Sequence, residues 1–136
     1  MALLVRQYLI SVMSFLVFLE RIVTAAEPNM DLVFINCAPE KYGDMDNYAL
    51  AVELSTNDII LQTGLQGGNW YNKGTVYSAV CYGHGKCAMD ITTQDCSDCL
   101  KGVRVFMIQE CKKSIGVHCK VGSCEFRYEA YPFNDG

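Results

Sequence analysis

Apolar and polar positions follow several distinct rhythms along this chain, and each rhythm predicts a different element. Tyr8 to Leu19 (YLISVMSFLVFL) is a twelve-residue apolar run behind a short basic leader at Arg6, and Glu20 and Arg21 end it. Val23-Thr24-Ala25-Ala26 then offers the small residues a signal peptidase requires, so residues 1–26 have the layout of a cleaved secretory signal. The run is shorter than the roughly 20 residues a membrane-spanning helix needs. The mature chain is expected to begin near Ala26 or Glu27, leaving 27–136 as one domain.

Residues 31 to 36 (DLVFIN) are rich in β-formers and predict a strand running into Cys37. Pro39 to Asp44 reads as a turn. From there Met45, Tyr48, Ala49, Val52, Ile59 and Ile60 recur at steps of three and four, a helical face with Asp44 as its N-cap. The glycines between Gly64 and Gly74 mark loop and hairpin, and Thr75 to Val80 (TVYSAV) reads as a strand. A second helix starts at Thr92, where Thr92 and Asp95 have capping-box spacing and Ile91 precedes them as a staple residue. Cys96, Cys99, Leu100, Val103, Met107 and Cys111 form its broad inner face. Lys112 and Lys113 close its last turn and Gly116 allows exit. Val117 to Val121 and Cys124 to Tyr131 read as two strands joined at Gly122-Ser123. In the second of these, Cys124, Phe126, Tyr128 and Ala130 share one face while Glu125, Arg127 and Glu129 share the other, as in a half-solvated edge or outer strand. The order β–α–β–α–β–β is unrepeated and predicts a small α+β domain with two helices on one face of an antiparallel sheet.

Charge narrows the function classes. The chain has 11 Lys and Arg against 15 Asp and Glu, and the mature part is slightly more acidic still, which argues against a nucleic-acid partner. After the leader there is no second long apolar segment, hence no expected membrane anchor, and there is no N-x-Ser/Thr acceptor for glycosylation.

All eight cysteines lie beyond the expected cleavage site. An even number in a small secreted domain reads as a disulfide framework, which compensates for the modest core such a domain can bury. In CAMDITTQDCSDCL, Cys87, Cys96 and Cys99 are spaced C-x8-C-x2-C. Cys96-x2-Cys99 resembles half a zinc site, with Cys119 and Cys124 as a second half, but thiols in an oxidising compartment become disulfides before they collect zinc. Thiol–disulfide exchange needs an acidic thiol after a βαβ strand, whereas Cys96 and Cys99 lie within a helix. Two cysteines three apart on a helix point the same way, so each reaches a different neighbouring element. No catalytic set emerges: His84 and His118 have no serine partner, and Asp95 with Asp98 suits the helix N-terminus. No enzyme activity, cofactor or metal is expected.

The spacing C-x8-C-x2-C within YGHGKCAMDITTQDCSDCL, then Cys111, Gly116 and CEFRYEAYPF, resembles the plant salt-stress response/antifungal domain. That family includes ginkbilobin-type antifungal proteins, cysteine-rich repeat secretory proteins and cysteine-rich receptor-like kinases, and the likeness covers roughly residues 32 to 133. It implies two helices packed on a five-stranded antiparallel sheet, stapled by Cys37–Cys111, Cys87–Cys96 and Cys99–Cys124. Cys81 and Cys119 are then left over; by elimination they are paired with each other, with a free or intermolecular thiol pair as the alternative. Ginkbilobin-type members bind mannose through an Asn after the first framework cysteine, an Arg on the penultimate strand and a Glu on the last. Those positions are here Ala38, His118 and Glu129, so only the carboxylate matches. Loss of two of three polar partners weakens such a site, each unmet hydroxyl costing about 1–3 kcal/mol.

Two functions follow from the resemblance. One is a secreted plant defence protein, antifungal through a glycan such as fungal mannan, with mannose-type binding weakened by the changes at positions 38 and 118. The other is an apoplastic interaction module that presents its sheet to an extracellular protein or receptor ectodomain without binding sugar.

Overall fold

A computed structural model of the protein describes residues 1–23 and 27–135. α1 (Ala2–Val23) covers the apolar leader, and residues 1–17 are exposed along it. Most of the expected cleavage segment, residues 24–26, lies outside the described residues. Among the described residues, no helix is long and apolar enough to cross a membrane.

The rest folds as β1 (Leu32–Cys37), α2 (Asn47–Gln62), β2 (Asn69–Val76), β3 (Ala79–Cys87), α3 (Thr93–Glu110), β4 (Val117–Val121) and β5 (Cys124–Glu129). The strands form one antiparallel sheet in the order β1-β4-β5-β3-β2. α2 and α3 pack on one face of it, so the predicted α+β class, two helices on a five-stranded antiparallel sheet, is the observed one. Phe126, Ile59, Leu100, Val103, Val117 and Val121 are almost wholly buried between the layers.

α3 begins where its capping signal predicts, with the Thr92 hydroxyl accepting from the Asp95 N–H at 3.0 Å. Its exit differs. The helix ends at Glu110, and the reversal is made by Lys113, whose φ is 55°, rather than by Gly116. Lys113 is held there by its ammonium, 2.5 Å from the Asp44 carboxylate. Asp44 is not the cap of α2, which starts two residues later than its predicted cap implies. Asp46 takes the N-cap position, and its carboxylate accepts from the Gly43 N–H at 2.7 Å. Met45 precedes the helix and is fully exposed, so the buried face of α2 begins instead at Ala51 and Val52.

The hairpin turn falls later than the glycines suggest. The stretch Thr75 to Val80 is not one strand: it contains the end of β2, a turn at Tyr77-Ser78 and the start of β3. Gly74, read as a loop signal, serves a different purpose, and Gly85 shares it. A Cβ on Gly74 would lie 2.4 Å from the Ala51 carbonyl oxygen, and one on Gly85 would lie 2.4 Å from the Thr63 hydroxyl. Both are strand residues kept bare so that α2 can approach the sheet.

β5 is the central strand, not an edge. Alternation reports that one face is polar, and it carries no information on how many neighbours a strand has. The alternate face of β5 is instead covered in part by residues 131–135, which fold back across it.

Candidate functional site

The cysteine cluster resolves into a covalent node. Cys87 and Cys124 stand opposite each other on the adjacent strands β3 and β5. One turn of α3 reaches both, through Cys96 to Cys87 and Cys99 to Cys124, while Cys37 at the end of β1 bonds Cys111 beyond the other end of α3. Cys81 and Cys119 are not bonded to each other, contrary to the pairing by elimination. They lie on β3 and β4, which are separated by β5. Two strand spacings are about 9.6 Å, beyond the roughly 6.8 Å Cα separation that a disulfide spans. Both are fully buried thiols, and burial pushes each up to about 11. Among the described residues no group of His, Cys, Asp and Glu is placed to hold a metal ion.

Ala38, His118 and Glu129 come together. They line one cleft of about 250 Å³ with Asn36, Gly116 and Tyr131. Ala38 is fixed just past Cys37 by its N–H donating to the Gly116 carbonyl at 2.8 Å and by its own carbonyl accepting from the Ser114 hydroxyl at 2.6 Å. His118 sits on β4 with Nε2 2.5 Å from Glu125 Oε1 and its ring edge-on to Phe34 at 4.8 Å. Glu129 accepts from Arg127 Nε at 3.1 Å. Its other oxygen lies over Gly116, where a Cβ would come within 1.9 Å. Gly116 is therefore bare to admit the carboxylate. The cleft's ionisable groups are thus already paired within the protein.

Sequence reasoning missed two members of this surface. Asn36 stands opposite His118 in the β1–β4 register, on the same side as the cleft, and is exposed. It supplies an amide two residues before the position where the resemblance expects one. Arg127 stands opposite His118 on β5 and orients Glu129.

Tyr71, His84, Arg127, His118 and Asn36 form a single register row crossing all five strands on the face away from the helices. His84 is 3 % exposed. Its Nδ1 lies 2.8 Å from Asp135 Oδ2, its Nε2 lies 2.6 Å from the Asn69 side chain, and the Tyr71 ring stacks on it at 3.9 Å. Burial lowers the His84 pKa despite the Asp135 carboxylate beside it. Burial alone would raise Asp135, but hydrogen bonds from His84 and Arg127 hold it below the usual carboxylate range. For Arg127 burial is likewise outweighed, and the bonds to Asp135 and Glu129 raise it. The sequence marked His84 only as lacking a serine partner, because β3 was not recognised and its outward set Tyr82, His84 and Lys86 could not be read.

A larger cavity, about 550 Å³, lies between α2 and α3 and contains none of the three predicted sugar positions.

Comparison with known proteins matches this geometry. Residues 36–131 match the family described as salt stress response/antifungal. A cysteine-rich receptor-like protein kinase 25 of Arabidopsis thaliana is 42 % identical over 59 residues, 43 % of this chain and 8 % of the kinase. A putative cysteine-rich repeat secretory protein 19 of the same plant is 42 % identical over 53 residues, 38 % of this chain and 19 % of that protein. The chain therefore spans a small part of the curated relatives it matches. Among solved structures, the tandem DUF26 ectodomain of the Arabidopsis thaliana receptor-like protein PDLP8 superimposes with a TM-score of 0.71 at 19 % identity. The superposition covers 77 % of this chain and 51 % of that one. The corresponding ectodomain of PDLP5 gives 0.69 at 17 % identity over 76 % of this chain and 51 % of that one. Both likenesses are of fold. With the family match extending over most of its length and the three-disulfide framework in place, the chain belongs to the salt stress response/antifungal family.

Proposed function

We propose that this is a secreted, non-enzymatic recognition domain of plant defence that acts in the apoplast and touches a mannose-type glycan through the cleft at the end of β1. The observation that carries the reading is the convergence of Asn36, His118 and Glu129 on one cleft of about 250 Å³. An amide, an imidazole and a carboxylate between them donate to and accept from adjacent hydroxyls. Asn36 stands in for the amide that Ala38 lacks. Because Glu125 and Arg127 already occupy part of the hydrogen-bonding capacity of His118 and Glu129, the affinity is weak.

Titration calorimetry with mannose and with fungal mannan tests this. A weak saturable isotherm is expected, abolished by Asn36→Ala and by Glu129→Gln and strengthened in Ala38→Asn/His118→Arg. No heat with either sugar, together with no gain in the double variant, overturns it. The mannan-binding protein is further expected to slow hyphal growth, and the Glu129→Gln variant is not.

A second reading, a protein-interaction module, is favoured by the internal pairing of the cleft's ionisable groups and by relatives that include a receptor-like kinase and receptor-like ectodomains. A stoichiometric complex with a receptor ectodomain of this family, formed by a protein with no sugar affinity, selects that reading instead.

A further inference from the structure

The segment that follows β5 does not leave the domain. The β5 ladder ends at Glu129, so residues 131–135 are held by side chains rather than by strand pairing, and their contacts are specific. The Asp135 carboxylate is gripped at one oxygen by Arg127 Nη1 and at the other by the buried His84, 2.8 Å away. The Asp135 N–H donates to the Tyr71 hydroxyl at 2.9 Å, and that hydroxyl donates to the Asn134 side chain at 3.2 Å. Phe133 lies under the Arg127 guanidinium, 4.1 Å from it, with its centroid 6.2 Å from that of Tyr71. Arg127 Nη2 also reaches the Tyr131 hydroxyl at 3.4 Å.

The receptor side of these contacts belongs to the sheet. Tyr71, His84 and Arg127 are neighbours in one register row on β2, β3 and β5. His84 is fixed at its Nε2 edge by Asn69 and across its face by the stacked Tyr71 ring. A buried imidazole and a guanidinium converging on one point, beside an aromatic platform, make a preorganised seat for a carboxylate, because charge-assisted bonds to an anion are the strong ones and a rigid sheet holds them in place. Nothing in the seat depends on the carboxylate arriving from the same chain.

We propose that Tyr71, His84 and Arg127 form a peptide-recognition site for an aromatic-x-aspartate segment of a partner protein, which the chain's own Phe133-Asn134-Asp135 fills until the partner displaces it. The site adjoins the sugar cleft, sharing Arg127, which also holds Glu129, and takes a different ligand. A short tether gives the intramolecular segment an effective concentration near millimolar. A partner peptide of modest affinity therefore competes poorly with it, and removal of the resident carboxylate exposes the site.

The test uses the full chain and a fluorescent Tyr-Pro-Phe-Asn-Asp peptide, blocked at both ends so that its one carboxylate is the aspartate side chain. Fluorescence polarisation is expected to show at least tenfold tighter binding to Asp135→Ala than to the unaltered protein. The gain is expected to vanish in Asp135→Ala/Arg127→Met, and in Asp135→Ala/Tyr71→Phe should the arginine variant fail to fold. A probe with asparagine in place of its aspartate is expected to bind at least tenfold more weakly. Equal or undetectable binding of the probe by Asp135→Ala and the unaltered protein overturns the proposal, as does equal binding of the aspartate and asparagine probes. Mannose titration of Asp135→Ala and Asp135→Ala/Tyr71→Phe, which both leave Arg127 on Glu129, keeps the two sites distinguishable.

Discussion

Replacing Cys99 and Cys124 together by alanine removes the cross-link between the first turns of α3 and the start of β5, whose ends are 25 residues apart. The companion pairs close loops of 74 residues (Cys37–Cys111) and 9 residues (Cys87–Cys96). If these bonds act by restricting the unfolded chain, their loss costs about 4.4, 3.5 and 2.6 kcal/mol in order of decreasing loop length. Unfolding entropy near 2.1 cal/mol/K per residue, over about 110 residues, turns each kcal/mol into about 4 °C. The three double alanine variants should then melt about 19, 15 and 11 °C below the parent. The measurement is thermal unfolding by far-UV circular dichroism at neutral pH without reductant. The order matters more than the sizes: Cys37 is exposed while the other five bonded cysteines are buried, so lost packing alone would make the longest-loop variant the mildest. A smaller loss for the longest loop than for the shortest, or three equal losses, would refute the entropic reasoning. Stabilisation would then have to come from packing of the sulfur atoms in the native state.

Denatured protein alkylated without reductant should gain two adducts, mapping to Cys81 and Cys119, while native protein at pH 8 should gain none, since both thiols are buried and raised to about 11; zero adducts after denaturation contradicts the free-thiol assignment. Acidification should destabilise the fold in two steps. His84 is depressed in the fold, so its contribution is present above the usual histidine range and is lost as pH falls below it, when the unfolded chain takes up a proton first. Asp135 is also depressed, so its contribution is present above the usual carboxylate range and is lost below it; urea melts across pH 3–7 should show the lower step vanish in Asp135→Asn. Gly85→Ala should cost about 1–3 kcal/mol by forcing α2 off the sheet, read by urea denaturation, and a neutral result means that the Thr63 hydroxyl swings clear. Thr92→Ala should cost about 1 kcal/mol through loss of the cap on α3, measured in the same way.

The helices and the class of fold were legible because their signals are local. α3 carries its own capping residue, and its inner face repeats at helical spacing from Cys96 to Met107. β2 was misplaced because Gly74 is bare for the sake of α2, a contact remote in sequence and indistinguishable from turn chemistry along the chain. The place of β5 was hidden for a similar reason, since alternation fixes faces and not neighbours. In the candidate sites, the resemblance located the cleft through Ala38, His118 and Glu129, yet Asn36 and Arg127 acquire meaning only once register sets both beside His118. His84 needed both β3 and the returning segment to be known.

The bonds Cys37–Cys111 and Cys99–Cys124 overlap along the chain. A single hydrolytic cut anywhere from residue 38 to residue 123 therefore leaves two fragments still tied to each other through sulfur. A nicked molecule keeps its mass on a non-reducing gel and separates only when reductant is added. Proteolysis must thus cut at least twice between residues 37 and 124 before any piece of that span can separate.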